Sequence, residues 1–390
     1  MVSFRLAVFW FAAAAVPLAQ TVSFEGRPAI VISNGRVSFT VLEQGATLAS
    51  VTLPGDAAAP DPLWNPVRLA RENGQPAEFN GAFGHFVCVD GFGPTSLSER
   101  AAGMPQHGEA HLLKFSVNRD PSAGALEMKA TLPIVQEALT RTFHVVPGEN
   151  VLYVDSRLEN LLGFDRPVNW AEHATVSAPF VEPGKTVIEI SGSRSQNRPY
   201  SASQPGPGTA QARTQRRLVS GVDFTWPLAP AVDGSTVDMR TFPEKPHFLD
   251  HATTLLDPSR DTEFAVAFNR ARHVVYGYLF RRADYPWIQH WGNYPSAAEL
   301  VRGMEFGTQP YDVPRHDAIE MGSMFGAPTF RWLPAKGAIE SHFLLFYART
   351  PEKMGKIDDV RIENGTIVIE DRADNQRLVL PARRGLNGKT

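Results

Sequence analysis

Four short segments carry residue types that can move protons or bind polar ligands. They are "MPQHGEAH" with His107, "VNWAEHATVSAPF" with Glu172 and His173, "RGMEFGTQP" with Glu305, and the Gly-rich stretch "GHFVCVDGFGP". A histidine and a carboxylate can act together as general acid and general base when they face one substrate. None of these residues is diagnostic alone, so only their joint occurrence makes them candidates for one site.

Strand signals dominate the chain around these segments. Asn34–Gly35 and Asn364–Gly365 each separate two runs of alternating apolar residues, which is the strongest short-range signal for a β-hairpin. Further alternation occurs in "LEMKATLP", "LTRTFHVV", "NVLYVDSRLEN" and "KTVIEIS", and 31 Gly with 31 Pro interrupt the chain at short intervals. Long stretches at the helical period are scarce. The sequence therefore predicts an all-β protein built as a large antiparallel β-sandwich.

Composition bounds the size of the fold and the class of ligand. The chain has 390 residues, of which 43% are hydrophobic, so it can bury a sizeable core. Its net charge is −3 with no long run of one sign, which excludes the electrostatic footprint of a nucleic-acid-binding protein and favours neutral ligands. We expect residues 21–390 to form a single domain. The polar, Pro/Gly/Ser-rich segment at about 191–217 is predicted to be a loop or lid inserted into it.

The first twenty residues, "MVSFRLAVFWFAAAAVPLAQ", have the composition of a secretory signal peptide. Arg5 precedes an apolar run that is too short to span a bilayer comfortably, and small residues offer cleavage points. We expect residues 1–20 to be removed, which makes the protein secreted or periplasmic and leaves no membrane span. An uncleaved amphipathic anchor is the alternative. Cys88 is the only cysteine, so neither an intramolecular disulfide nor a cysteine-based zinc site can form.

The candidate segments together resemble a known superfamily. "VCVDGFGP" followed by "QHGEAH" is similar to a segment of the aldose 1-epimerase and hexose-6-phosphate mutarotase families, in which a Gly-rich strand end precedes a Q-H-G-x-A-R-like motif. "NWAEHATVSAPF" resembles their later histidine segment, and "GMEFGTQP" resembles their segment with a glutamate before T-Q-x-P. The order His, His, Glu also matches, and the likeness spans roughly residues 30 to 350.

This resemblance implies a galactose mutarotase-like supersandwich with a sugar held in a shallow cleft on one sheet. Glu305 would be the general base, His173 the general acid, and His107 a ligand of the sugar's oxygen atoms. The carbohydrate, a free aldose or short glycoside, would also contact the binding residues Asp90, Phe92, Trp291 and Gln309. Trp287 and Tyr294 are further candidates for stacking on the sugar, although each aromatic residue could equally belong to the core.

The resemblance implies no cofactor and no metal. On one strand His107 and His111 would lie about 13 Å apart at roughly 3.3 Å per residue, which is too far for one zinc ion. Strand alternation would also send Glu172 to the face opposite His173, which favours a structural role for Glu172.

The sequence departs from the family pattern at several positions. Ala82 and His111 stand where the hexose-phosphate branch has arginines, which removes two cations suited to a phosphate. The Asn-Arg pair of the galactose mutarotases is not visible, and "EHAT" replaces their N-H-x-Y motif.

Three functions therefore stay open. They are an exported aldose 1-epimerase-like enzyme, a non-catalytic carbohydrate-binding protein, and a glycan hydrolase or lyase. A hydrolase would need a second carboxylate opposite Glu305, for which Asp90 and Asp250 are the candidates.

Overall fold

The computed structural model describes residues 19–76, 81–120, 124–200, 215–296 and 298–386. The predicted signal peptide lies outside these ranges except for its last two residues. Within the ranges the helices are α1 (Pro66–Glu72), α2 (Leu97–Ala101) and α3 (Arg315–Met321), with a 3-10 turn at Ala110–Leu112. No helix there is long and apolar enough to cross a membrane.

Strands make up most of the described chain. In chain order they are β1 (Ala19–Phe24), β2 (Arg27–Ser33), β3 (Ser38–Leu42), β4 (Leu48–Thr52), β5 (His85–Val89), β6 (Ser116–Asp120), β7 (Ala125–Leu132), β8 (Glu137–Val145), β9 (Val151–Asn160), β10 (Arg166–Val168), β11 (Trp170–Ser177), β12 (Thr186–Ile190), β13 (Gly192–Asn197), β14 (Gln215–Arg216), β15 (Asp223–Thr225), β16 (Leu228–Pro230), β17 (Thr236–Asp238), β18 (Phe248–Leu256), β19 (Thr262–Asn269), β20 (Val274–Arg281), β21 (Trp287–Ser296), β22 (Glu299–Gly303), β23 (Glu305–Gly307), β24 (Ser323–Met324), β25 (Ala327–Pro328), β26 (Arg331–Leu333), β27 (Ala338–Arg349), β28 (Asp359–Glu363), β29 (Thr366–Asp371) and β30 (Gln376–Pro381).

Two large sheets pack face to face. The first, called the cleft sheet below, has 13 strands in the order β1-β2-β3-β4-β5-β11-β22-β21-β18-β13-β15, with β14 beside β18 and β23 between β11 and β21. The second, the middle sheet, has eight strands in the order β12-β19-β20-β27-β9-β8-β7-β6. Only the β14–β18 pair is parallel among the described pairs. The predicted all-β antiparallel sandwich is confirmed.

Two hydrophobic layers hold three sheets together. The larger layer joins the cleft sheet, through residues such as Phe39 and Val176, to the middle sheet, through residues such as Phe143. The smaller layer joins the other face of the middle sheet to a C-terminal sheet of β28, β29 and β30, through residues such as Ile367 and Leu380. Because the middle sheet is covered on both faces, its strands are apolar on both sides.

The two Asn-Gly turns form hairpins of different geometry. Asn364 and Gly365 both have positive φ, at 47° and 72°, as a two-residue turn between β28 and β29 requires. The turn between β2 and β3 is longer, and only Gly35 has positive φ there. The Asn34 side chain instead accepts hydrogen bonds from the backbone N–H groups of Arg36 and Val37. An Asx-type turn thus replaces the two-residue turn that the sequence predicts.

The bounds predicted for the loop, about 191–217, include residues that form strands. Its first part is β13, which pairs with β18 and β15, and its last part contains β14. Polar side chains are tolerated here because they bond across strands: Ser195 Oγ lies 2.8 Å from Thr254 Oγ1, and Gln196 Nε2 donates to Asp223 over 2.6 Å. Residues 201–214 lie outside the described part of the chain.

Candidate active site

His173 and Glu305 come from neighbouring strands of the cleft sheet. The antiparallel register of β11 and β23 pairs Ala171 with Gly307, and its continuation places His173 opposite Glu305. Both side chains lie on the outer face of the sheet, away from the middle sheet. His173 Nε2 is 3.4 Å from Glu305 Oε1, so the two residues that the sequence proposed as acid and base are in contact.

Glu172 points the opposite way, into the layer between the two large sheets. Its carboxylate accepts from Arg141, at 3.0 Å from Nη2, and lies 2.8 Å from His85 Nε2. Trp170 Nε1 and the Tyr285 hydroxyl also donate to it, each over 3.3 Å. Burial acts to raise the pKa of Glu172, but Arg141 and His85 lower it overall. Glu172 is therefore a structural residue, as strand alternation predicts.

Burial dominates the electrostatics of the His173–Glu305 pair. Removal from water raises the pKa of Glu305 well above its ordinary value, and Asp312 raises it further. Removal from water lowers the pKa of His173 well below its ordinary value, with a further contribution from His107. Desolvation thus favours the neutral form of each group, a protonated Glu305 and an uncharged His173.

His107 is held beside this pair by a close crossing of two loops. A Cβ on Gly91 would lie 2.7 Å from the backbone nitrogen of Gly108, so the Gly-rich segment after β5 can touch the His107 turn only without a side chain. His107 has a φ of 65°, in the left-handed region. Its Nδ1 accepts from the Gly93 N–H over 3.2 Å, which leaves the proton of the neutral ring on Nε2, and this atom lies 3.2 Å from the Gln106 side-chain amide.

The His107 ring packs edge-on within a group of rings. Its centroid lies 5.2 Å from that of His173 and 5.6 Å from that of Phe86, and Phe86 stacks on His173 at 4.3 Å. Burial lowers the pKa of His107 to about 4, so its Nε2 is a neutral donor at physiological pH. His107 therefore lies next to His173, and its role as a ligand of a sugar stays a prediction.

The spacing predicted for His107 and His111 is wrong. Their segment forms a turn and a 3-10 turn rather than a strand, and their ring centroids are 6.2 Å apart. His111 also packs against Phe86 at 5.2 Å, and burial lowers its pKa to about 3. No group of three or more metal-ligating side chains is close enough to hold an ion in the part of the chain that the structure describes.

Two predicted aromatic residues reach the site. Phe92 is buried, with its ring centroid 5.9 Å from His173 and 6.1 Å from His107. Trp291 is half-buried, with its ring 6.2 Å from His173 and 6.3 Å from Trp64. Trp64 is also half-buried and was missed by the sequence analysis, because no pattern links its loop to β21. These two tryptophans are the exposed aromatic faces beside the pair on which a sugar could stack.

Gln309 lies under the site rather than in the open cleft. It is 1% exposed, and its Nε2 donates to the carbonyl oxygens of Phe92 and Tyr311. Its Oε1 has no hydrogen-bond partner. Gln309 therefore fixes the Phe92 loop against the segment that follows Glu305.

Four other predicted residues do not present free groups to a ligand. Asp90 is fully buried and accepts from Arg166 and Arg315. Asp250 is fully buried in a two-pronged pair with Arg217. Trp287 is buried and donates to the Pro328 carbonyl, and Tyr294 is buried and hydrogen-bonded to Arg302. Sequence patterns could not reveal the partners of Asp90, Asp250 and Trp287 because these lie on other segments, whereas Arg302 is only eight residues from Tyr294.

The structure adds an unpredicted carboxylate, Asp312, to the same face. Its side chain is 27% exposed, its Oδ1 accepts from Arg198 Nε, and it lies 3.6 Å from His251 Nδ1. His251 is directly opposite Trp291 in the β18–β21 pairing, which places both beside the pair. Asp312 is thus the carboxylate with exposed surface that a hydrolytic mechanism would require in place of Asp90 or Asp250.

Solved structures share this architecture. A galactose mutarotase-like protein from Clostridium acetobutylicum superposes with a TM-score of 0.57 and 12% identity, covering 85% of this chain and 98% of that one. This chain has the galactose mutarotase-like fold. A galactose mutarotase related enzyme from Lactobacillus acidophilus matches this fold with a TM-score of 0.53 and 12% identity, covering 86% of this chain and all of that one. No protein-family model and no curated protein matches the sequence. The mutarotase-like fold is therefore established by structure, as the short motifs predict.

Proposed function

We propose that this protein is an aldose 1-epimerase-like enzyme that interconverts the anomers of a sugar. The observation that carries the proposal is the contact between His173 and Glu305, whose Nε2 and Oε1 atoms are 3.4 Å apart on the outer face of the cleft sheet. His107 and Trp291 flank that contact and supply a hydrogen-bond donor and a stacking surface. The mutarotase-like neighbours support sugar as the class of ligand.

The reaction requires two proton transfers around one sugar ring. Glu305 takes the proton from the C1 hydroxyl while His173 gives a proton to the ring oxygen, so the bond between C1 and the ring oxygen breaks and an open-chain aldehyde forms. Rotation about the C1–C2 bond presents the other face of the aldehyde. The reverse transfers close the ring and return each residue to its starting state.

One proton shared by the pair is sufficient for this cycle. In the empty cleft burial favours the proton on Glu305, whose pKa is raised, over His173, whose pKa is lowered. The working form has the proton on His173, whose Nε2 faces Glu305 Oε1 at 3.4 Å without a hydrogen bond between them, so the pair must draw closer for the proton to pass. Sugar hydroxyls and the His107 N–H that donate to the developing charges would stabilise that form.

Export is part of the proposal, because the first twenty residues have the composition of a signal peptide. N-terminal sequencing of the protein from its exporting host should find a mature chain that begins between about residues 16 and 22. A chain that still begins at Met1 would contradict export and would leave the proposed chemistry unaffected.

Polarimetry tests the catalytic proposal directly. Freshly dissolved α-glucose and α-galactose should reach anomeric equilibrium faster with the wild-type protein than without it, and Glu305→Gln should abolish that acceleration. Calorimetric sugar binding is measured in parallel. Sugar binding without acceleration by the wild type would show a carbohydrate-binding protein instead, because the cleft would be kept without turnover.

A further inference from the structure

Arg216 lies on the outer face of the cleft sheet, and no described residue forms an ion pair with it. Its guanidinium carbon is 3.2 Å from the centroid of the Tyr200 ring, and that of Arg198 is 4.6 Å from the same ring. Arg216 forms no hydrogen bond or ion pair with the described residues. Burial lowers its pKa, and the neighbouring charge of Arg198 contributes to the lowering. Two cations thus share one aromatic ring in a partly desolvated place.

Two neighbouring arginines, unlike Arg216, have acceptors for their guanidinium N–H groups. Arg198 donates from Nε to the Asp312 side chain and from Nη2 to the Asp312 carbonyl. Arg217 grips both carboxylate oxygens of Asp250. Arg216 is the one of these three arginines whose five donors have no described acceptor. A partly buried guanidinium of this kind is suited to bind a planar or tetrahedral anion in two-pronged fashion.

The strand register shows where Arg216 lies relative to the acid–base pair. Glu305 pairs with Gln289, and Gln289 pairs with Thr253 of β18, whereas Arg216 pairs with Leu249 of the same strand. Three strand spacings of about 4.8 Å and four residues of about 3.3 Å separate the two Cα atoms, which gives roughly 19 Å.

Two side chains lie on the same face in this region. Trp291, opposite His251, is two residues along β21 from Gln289 toward the level of Arg216, and its ring packs near His173 and Trp64. Asp312, which Arg198 holds, lies near enough to raise the pKa of Glu305 and to oppose the lowering of the pKa of Arg216. The side-chain length of arginine leaves a gap between the reacting atoms and the guanidinium that is longer than one sugar ring.

We infer that Arg216, placed on the Tyr200 ring beside Arg198, forms an anion subsite that binds the carboxylate or sulfate group of an acidic oligosaccharide whose terminal ring occupies the His173–Glu305 site. The intermediate ring would stack on Trp291. The inference rests on the proposed function only for the identity of the ring at the pair. The anion subsite itself rests on the unpaired guanidinium and its place on the sheet.

Calorimetry with matched oligosaccharides tests this subsite. The probes are trigalacturonate, a sulfated trisaccharide, neutral cellotriose, monomeric galacturonate and inorganic sulfate. We expect one or both acidic trisaccharides to bind more tightly than cellotriose, with a preference that weakens as salt is added. Arg216→Gln should weaken the preferred acidic trisaccharide by about 10- to 100-fold and leave cellotriose unchanged.

Arg194→Gln is the matched control. Arg194 stacks on Phe325 with its guanidinium carbon 4.0 Å from the ring, is exposed, and lies on β13 of the same sheet. It should have no effect on any probe. The carboxylated and sulfated arms identify which anion the subsite prefers.

Three results would overturn the inference: equal affinity for acidic and neutral trisaccharides, equal effects of the two arginine variants, or binding of inorganic sulfate or monomeric galacturonate as tight as that of the trisaccharides. Arg216-dependent binding in a protein that accelerates no mutarotation would support the subsite and contradict only the proposed function.

Discussion

Glu305 folds back over Gly303, two residues earlier on the same face of the sheet. A Cβ at Gly303 would lie 2.2 Å from Glu305 Oε1 and 2.8 Å from its Cδ. The φ of Gly303 is not in the left-handed region, so space for the carboxyl group, rather than backbone freedom, is what requires glycine there. Gly303 therefore sets the position of the proposed base relative to His173.

Gly303→Ala should displace the Glu305 carboxyl group and lower the mutarotation rate by about 10²-fold, because a shift near 1 Å has effects of that size on a positioned catalytic group. Polarimetry measures the rate, and circular dichroism checks that the fold is kept. Gly163→Ala is the control, since a Cβ there meets no atom within 4 Å. Full activity of Gly303→Ala would mean that the carboxyl position seen here is not the working one.

Removal of either member of the acid–base pair should have nearly the same effect as removal of both. Glu305→Gln and His173→Asn should each lower the rate by about 10²–10⁴-fold, and the double variant should be little slower than the slower single variant, because the two residues pass one proton. Polarimetry on all three variants measures this. Multiplicative losses would indicate that the two residues act independently.

The stability of Glu305→Gln should depend on pH relative to wild type. Burial raises the pKa of the Glu305 carboxyl group in the folded protein. The contribution of this group to the free energy of unfolding is therefore fully present below the pKa that Glu305 has in the unfolded chain. It is lost as pH rises through the pKa of Glu305 in the folded protein. Glutamine has no proton to lose, so the Tm of Glu305→Gln minus that of wild type should increase as pH rises above about 4.3. Thermal unfolding of both proteins at a series of pH values from about 4 to about 9 measures this difference in Tm. Glu127→Gln, at an exposed position of β7, should show no such trend.

Glu172→Gln should destabilise the fold although it lies next to His173 in sequence. The change leaves the buried Arg141 guanidinium without its carboxylate, and breaking a buried ion pair costs about 3–5 kcal/mol. Chemical denaturation of the variant and wild type measures this loss. A stable variant that has lost only its activity would instead place Glu172 in the catalytic site.

His107→Asn should weaken sugar binding as well as turnover. Asparagine tolerates the φ of 65° at this position but does not place a donor where the His107 Nε2 proton lies. Loss of one hydrogen bond predicts an affinity about 2- to 10-fold weaker, measured by calorimetry. His316→Asn, at an exposed histidine, should leave affinity unchanged. An unchanged affinity in His107→Asn would mean that His107 only supports the loop.

Local sequence was sufficient to predict the architecture and to nominate the candidate acid–base residues. Alternating apolar residues identify the strands, since side chains in a strand point to opposite faces with period two. The same alternation separated Glu172 from His173 correctly. His173 and Glu305 were singled out by their joint occurrence with His107 and by the resemblance of their segments to the mutarotase families, because a histidine and a carboxylate can exchange protons with one substrate.

Only the tertiary structure decided which of the other polar and aromatic residues are free to bind. The sequence does not distinguish Asp90 and Asp250 from Asp312. In the structure, Asp90 and Asp250 are buried in ion pairs with arginines, whereas Asp312 stays partly exposed. The ring of Trp64 packs against that of Trp291, although more than two hundred residues of chain separate them. Such partners depend on strand order and register, which are long-range properties that no short motif records.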